Sequence, residues 1–352
     1  MTAPPSTRPS GVPLLAVRDL HVDYRSGDGD VALVNGTSFE LERGEIICLV
    51  GESGSGKSLT ASAIMGLAQR RTRLRVGGTV ALEGRNLTAL DQRQLRGLRG
   101  REMGMIFQDP AGALDPVVPV GKQIAEAVAR RRSGRAEIAR RVVELVAQVG
   151  ISDPEHRVRQ FPHEISGGMC QRVGIAIAIA GDPKLLLADE PTTALDVTIQ
   201  AQVLELLKRV RDERGMSVLL ITHDMGIAAQ TADRIVVMYA GSVVEEGPTR
   251  DLFSRPGHPY SIGLIRAVPR VDSARVARLS AIPGSMPEAR ERPSGCAFHP
   301  RCPFAVDRCR VEAPEPVAIG ARRVACHRAG ELASGLLNPS RSPSADPGEG
   351  QP

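Results

Sequence analysis

A chain of 352 residues, 42% of them hydrophobic, is long enough for one large domain with an appendage or for two domains. Its longest unbroken apolar run, around residues 175–180, falls far short of the ~20 residues of a membrane span. Residues 1–13 lack the apolar core of a secretory leader, so the sequence reads as a cytoplasmic protein that meets a membrane only through partners. The net charge of +5 is carried almost wholly by arginine, and with 3% aromatic residues no stacking platform for nucleic acid is visible. The basic runs at 93–101 and 130–135 read as solvated helix faces.

In chain order, residues 14–17 are an apolar strand start, 26–30 (Ser-Gly-Asp-Gly-Asp) a turn, 31–41 a second strand, and 45–50 a buried strand after the turn Glu42-Arg43-Gly44. A glycine-rich loop then leads into a helix expected over about 57–69. Ile124, Ala127, Val128, Ile138, Val142, Leu145 and Val149 fall three or four apart, which is helical spacing, until Gly150 ends it. Further expectations are a helix over 167–180, a strand over 184–188, a helix over 199–214, a strand over 217–222, a helix over 228–233 and a strand over 234–239. Strands alternating with helices imply an α/β fold with a mostly parallel sheet, and the helical block near 110–175 an inserted subdomain. Past residue 250 periodicity fades. Residues 1–13 and 336–352 are expected to be disordered on composition. No internal repeat is present.

Gly51-Glu52-Ser53-Gly54-Ser55-Gly56-Lys57-Ser58 matches the phosphate-binding loop pattern, placed between an apolar strand and a helix. Glycines let backbone N–H groups curl around phosphates, and the helix N-terminus adds partial positive charge. Lys57 is assigned to the β- and γ-phosphates and Ser58 to Mg²⁺. Gly51, Ser53, Gly54, Ser55, Gly56, Lys57, Ser58 and Leu59 form the candidate nucleotide-binding run. Leu185-Leu186-Leu187-Ala188-Asp189-Glu190 is an apolar strand ending in two acids. Asp189 is assigned to Mg²⁺, directly or through water, and Glu190 to the general base that polarises the attacking water.

Shortly before that strand, Ser166-Gly167-Gly168-Met169 resembles the signature of ABC proteins, with Ile165 and Met169 in place of the usual Leu and Gln. Together the motifs, over about residues 14–250, are similar to an ABC ATPase cassette. The resemblance implies a RecA-like P-loop core, an N-terminal antiparallel β subdomain and the inserted helical subdomain. It implies that Gln108 senses Mg²⁺ and the γ-phosphate, that His223 contacts the γ-phosphate, that Asp196 belongs to the loop aligning two subunits, and that Tyr24 stacks on adenine. It also implies that Ser166, Gly167 and Gly168 meet the ATP held by an opposite subunit. Phe107-Gln108-Asp109-Pro110 running on to Leu114-Asp115-Pro116, and Gly257-His258-Pro259-Tyr260 with 262–269, resemble the oligopeptide/dipeptide/nickel importer group. That resemblance implies an ATP- and Mg²⁺-dependent, transport-coupled ATPase on the cytoplasmic face of the inner membrane. Its implied partners are a second ATPase subunit (this chain or a homologue), two transmembrane permease subunits and an extracytoplasmic solute-binding protein. Peptides are the first expectation for the solute, with nickel or another small solute as the alternative. A soluble, non-transport ABC ATPase fits less well, because neither a second cassette nor a long insertion is seen. A GTP-dependent switch lacks its Asn-Lys-x-Asp motif, and Glu190 with His223 argues against a hydrolytically dead binder.

Cys296, Cys302, Cys309 and Cys326, spaced C-x5-C-x6-C-x16-C, lie in the expected extension over 251–335. In a reduced compartment such crowding points to a metal centre rather than disulfides, and thiolates suit zinc or an iron–sulfur cluster. The family resemblance implies a 4Fe–4S cluster, with zinc as the alternative. Cys48 reads as a core thiol and Cys170 as a tolerated neighbour of the signature.

Overall fold

The computed structural model describes residues 11–337, apart from 28, 71–72, 132–133, 194, 269–281 and 335. The expectations for residues 1–10 and 338–352, and the alanine before the Asp196 loop, lie outside that range.

Strands β1 (Leu15–Tyr24) and β2 (Val31–Leu41) form an antiparallel hairpin, joined later by β4 (Leu74–Leu82) and β5 (Arg85–Asn86) in the order β2-β1-β4-β5. Between them, β3 (Ile46–Val50) enters a different sheet and ends in the glycine-rich loop, which opens α1 (Lys57–Ile64). The sequence expected that helix to reach residue 69. It stops because Gly66 turns left-handed (φ 67°) and a short 3-10 turn follows. Helix α2 (Gln92–Leu98) starts in a capping box, with Asp91 and Gln94 exchanging side-chain and backbone hydrogen bonds.

After β6 (Met103–Ile106) comes the helical block: α3 (Pro110–Ala113), α4 (Val120–Ala129), α5 (Arg135–Gln148), α6 (Pro154–Arg157) and α7 (Gly167–Ile179). The alternation then resumes with β7 (Leu185–Asp189), α8 (Val197–Arg214), β8 (Ser217–Thr222), α9 (Met225–Thr231), β9 (Arg234–Tyr239) and β10 (Ser242–Pro248). Helix α9 begins three residues earlier than the spacing suggests because the Asp224 carboxylate caps it, accepting from the N–H groups of Gly226 and Ile227.

The chain closes with α10 (Thr249–Ser254), α11 (Pro259–Arg266), α12 (Asp307–Val311), β11 (Val317–Ile319), β12 (Arg322–Val324) and α13 (Ala329–Ala333).

The main sheet runs β11-β12-β10-β9-β3-β8-β7-β6. From β9 to β6 all neighbours are parallel, and β10, β12 and β11 extend it antiparallel. Alternate residues of each central strand serve two cores, as the period of two requires. Ile46, Cys48, Val50, Leu186, Ala188, Ile235 and Val237 pack against the helices. Ile47, Leu49, Leu185, Leu187, Val236 and Met238 pack against the antiparallel sheet and α1. Cys48 is fully buried, as read from the sequence, and burial pushes its thiol well above the usual range.

The C-terminal residues continue the cassette's own sheet, since β12 pairs with β10 at Glu245–Val324 and Glu246–Arg323. At this seam the fully buried Glu245 carboxylate accepts from Arg322 (3.0 Å) and from the N–H groups of Gly257 (2.8 Å) and His258 (2.9 Å).

Candidate nucleotide site

The glycine-rich loop leaves the C-terminal end of the central strand β3, at the sheet edge where parallel α/β folds bind ligands. A side chain at Gly51 would lie 2.2 Å from the Met238 carbonyl oxygen, so only glycine allows this approach. Gly56 caps α1 with φ 101°, a left-handed conformation that glycine adopts without strain. Lys57 is buried, and its Nζ donates to the carbonyls of Gly51 (2.8 Å) and Glu52 (2.9 Å), beside Ser55 Oγ at 3.4 Å. Burial lowers its pKa, against the opposing charges of Glu190, Asp189 and Glu52.

Ser58 Oγ donates to Asp189 Oδ1 at 2.8 Å, joining the loop to the end of β7. Burial raises the Asp189 carboxyl, only partly opposed by that hydrogen bond. The next residue, Glu190, sits at φ 46°, a strained conformation for a residue with a Cβ. Its N–H is held by the Ile221 carbonyl at 3.0 Å. Three side chains converge on its carboxylate: Thr193 Oγ1 (2.9 Å), Gln108 Nε2 (3.2 Å) and His223 Nδ1 (3.4 Å). Burial acts to raise the Glu190 carboxyl. The Thr193 hydrogen bond and the His223 and Lys57 charges outweigh it, so the group is held below the ordinary carboxylate range and is ionised at neutral pH. Of these partners, the sequence reading missed Thr193, which carries no motif signal of its own.

A cavity of ≈ 330 Å³ opens here, lined by Ser53, Gly54, Gly56, Lys57, Ser58, Leu59, Gln108 and Glu190 among others. Ser55 is buried beneath it. Three of the expected site elements stand elsewhere. Ser166 caps α7, accepting from the Met169 N–H at 3.3 Å, and with Gly167 is exposed. Asp196 caps α8 through the Ile199 N–H at 2.9 Å and is likewise exposed. Tyr24 ends β1, where its hydroxyl accepts from Arg73 at 2.9 Å. It is not part of the cavity lining.

The sequence reading also missed what the C-terminal extension does at this loop. Arg301 grips the Glu52 carboxylate with both Nη1 (2.7 Å) and Nη2 (3.0 Å), and its guanidinium lies over the rings of Tyr239 and Phe298. The hydroxyl of Tyr260, from the Gly-His-Pro-Tyr stretch, accepts the backbone N–H of Glu52 at 2.8 Å. His258 is buried, caps α11 by accepting the Tyr260 N–H, and is held neutral by burial, which pushes its pKa down to about 3. This stretch therefore fastens the extension to the phosphate-binding loop.

The four C-terminal cysteines are all free thiols, and Cys296 N–H donates to the Cys309 carbonyl at 2.9 Å. Burial pushes Cys302 up to about 12, Cys326 up to about 11, and Cys296 upward as well. Backbone N–H groups of Phe298 and His299 face Cys296, that of Phe304 faces Cys302, and that of Arg328 faces Cys326. Among the described residues, no group of three or more His, Cys, Asp or Glu side chains is placed to hold a metal ion. The expected metal centre is thus not matched by this arrangement, although the donors suit one chemically.

A phosphate-binding loop at the central strand and an acid pair at the next-but-one strand end put the chain in the P-loop nucleotide-binding class. The ABC transporter family matches residues 34–193, and the oligopeptide/dipeptide transporter C-terminal region matches residues 244–309. The oligopeptide transport ATP-binding protein OppD of Mycobacterium tuberculosis is 49% identical over 92% of this chain, which spans 53% of that protein's length. A probable peptide ABC transporter ATP-binding protein of Sinorhizobium fredii is 47% identical over 91% of this chain and 96% of its own length. A putative peptide import ATP-binding protein of Brucella abortus is 48% identical over 89% and 94%, respectively.

Among solved structures, a dimeric ATP-binding cassette in a post-hydrolysis state with ADP and Pi superposes with a TM-score of 0.60 and 27% identity, over 67% of this chain and 99% of that one. The cbiO1 subunit of an ABC transporter from Clostridium perfringens gives 0.58 and 26%, over 69% and 91%. The chain belongs to the family of ABC transporter ATP-binding proteins, and it carries the C-terminal region of the oligopeptide/dipeptide group.

Proposed function

We propose that this chain is the ATP-hydrolysing subunit of an ABC importer for oligopeptides or dipeptides. The observation that carries the reading is the Glu190 carboxylate, held by Gln108, Thr193 and His223 one residue beyond the Asp189–Ser58 pair. Lys57 and the loop N–H groups take the phosphates. Ser58, Asp189 and Gln108 would hold Mg²⁺, which would supply neutralisation of phosphate charge. Glu190 accepts the proton of the attacking water, and His223 contacts the γ-phosphate.

Partners follow from what one chain leaves uncovered. The exposed Ser166, Gly167 and Asp196 are offered to a second ATPase subunit. Phe107 and Val117, 46% and 78% exposed in the stretch around Gln108 to Gly121, suit contact with transmembrane permease subunits at the cytoplasmic face of the inner membrane. An extracytoplasmic solute-binding protein completes the importer. The relatives described as oligopeptide and peptide import proteins support peptide as the solute. Residues 14–250 serve as the ATPase unit and 251–335 as the extension. The four cysteines are read as ligands of a 4Fe–4S cluster or zinc, supported by their donor chemistry and N–H···S surroundings. Iron, sulfide and zinc content of the purified chain tests that part.

Uptake of labelled di- and oligopeptides by cells carrying the native chain or Glu190→Gln tests the main reading. Peptide uptake lost in the variant supports it. Uptake unchanged for peptides but lost for nickel moves the solute to the metal.

A further inference from the structure

The nucleotide cavity has a wall that the cassette motifs do not supply. Besides the catalytic end at Lys57, Ser58, Gln108 and Glu190, it is lined by Leu33, Ala240, Pro287, Ala289 and Arg292. The last three come from the C-terminal extension, far along the chain from the loop. Their segment is strapped to the β1–β2 hairpin, where Arg290 Nη2 donates to Ser26 Oγ at 2.6 Å and Arg292 Nη2 to the Ala32 carbonyl at 3.0 Å. Arg292 lies beside the loop: a side chain on Gly241, whose N–H donates to the Ser55 carbonyl, would meet both Arg292 Nη2 (2.8 Å) and the Leu33 carbonyl (2.6 Å).

The guanidinium is incompletely satisfied. Its Nε is buried with no partner, and among the described residues no carboxylate acts on it. Burial alone holds its pKa below the arginine range, with no acid offsetting the effect. A desolvated cation without a counter-charge opposes folding. One that lines a phosphate-binding cleft is instead suited to an anion arriving there.

We propose that Arg292 is a nucleotide-binding residue, and that with Pro287 and Ala289 it makes the C-terminal extension the wall that receives the nucleoside and first phosphate of ATP. The inference rests on the ATP reading above. Leu33 and Arg292 meet at Gly241, beside Ser55, whereas Glu190 is held by Gln108, Thr193 and His223, so the contact is assigned to the part that ATP and ADP share. The guanidinium N–H groups donate to it, and the apolar Leu33, Pro287 and Ala289 enclose it.

The test is calorimetric titration of the full chain with ATP, ADP and inorganic tripolyphosphate, joined to ATPase kinetics and thermal melting. Native binding of ATP, abolished by Lys57→Ala, establishes the nucleotide reading, and no native binding overturns that reading itself. Given native binding, Arg292→Ala is expected to weaken ATP and ADP each about tenfold and to weaken tripolyphosphate less, because that ligand keeps the phosphate contact but has no nucleoside for the wall. The kinetic loss is expected in KM rather than kcat. The melting temperature should hold or rise, because a desolvated charge has been removed. Native-like affinity for ATP and ADP overturns the proposal. So does an equal loss for tripolyphosphate with a lowered melting temperature, which marks a packing role. If the alanine variant does not fold, Arg292→Lys keeps the charge but removes the Nε donor. It is then expected to weaken ATP about threefold, and native affinity in that variant overturns the proposal.

Discussion

The two sides of the nucleotide cleft are built by different means. On one side, residues 51–58 are consecutive, and the loop, its glycines and the start of α1 form a local unit whose conformation follows from their own backbone preferences. On the other side, Pro287, Ala289, Arg292, Arg301 and Tyr260 arrive from the C-terminal extension. They are held to the loop by an ion pair and a hydroxyl, and to the β1–β2 hairpin by a strap, rather than by chain connectivity. The comparison teaches that a motif marks where phosphates bind, whereas long-range packing decides how the cleft is walled and how firmly the loop is held.

The sharpest way to separate the two sides is chemical. Glu190→Gln removes the proposed base and keeps its shape, so phosphate release should fall by about 10²–10⁴ while nucleotide titration shows binding retained. Turnover near the native rate would remove Glu190 from that role.

On the extension side, Arg322→Ala leaves the fully buried Glu245 carboxylate unpaired and should cost about 3 kcal/mol of unfolding free energy, read from the denaturant midpoint at constant slope. An unchanged midpoint would mean that the seam between β10 and β12 contributes little to holding the extension. Arg301→Ala loses two charge-assisted hydrogen bonds to Glu52 and the packing on Tyr239 and Phe298. It should cost about 2 kcal/mol and weaken ATP binding. A loss of stability with unaltered ATP affinity would confine Arg301 to scaffolding.

A further effect is set by pH. His258 is neutral in the fold with a pKa near 3, against 6.5 for the ordinary group. Between those values the unfolded chain binds a proton that the folded chain does not. Stability is therefore fully present above about pH 6.5 and lost towards pH 3, at a slope of up to about 1.4 kcal/mol per pH unit. Unfolding midpoints of the native chain and His258→Asn, followed from pH 7 to 4.5, should differ in slope by that one proton. Parallel curves would show that His258 is not the group responsible.

Most of the fold was legible because hydrophobic period reports element type directly. The strands over 45–50, 184–188, 217–222 and 234–239 all stand within a residue or so of their expected places. The phosphate-loop run and the acids Asp189 and Glu190 were read from a motif and a strand end, whereas Gln108 and His223 came only from the family resemblance; the structure brings the last two together on Glu190. The short strands β11 and β12 were not. Three residues are too few to show a period; β12 is placed by pairing to β10, and β11 by pairing to β12.

The sequence by itself determined the alternating α/β order, the loop that cradles phosphate and the two acids behind it, since each depends on neighbours within a few residues. Only the tertiary structure decided that Thr193 joins Gln108 and His223 on Glu190, and that the extension shares the cassette's sheet. The same holds for Arg301 and Tyr260 gripping Glu52, and for the unpaired Arg292 in the cleft wall. Those contacts join residues up to 260 positions apart, and neither propensity nor spacing along the chain carries a signal for a partner so distant. They form because burial and the pairing of desolvated charges act on the folded surface as a whole.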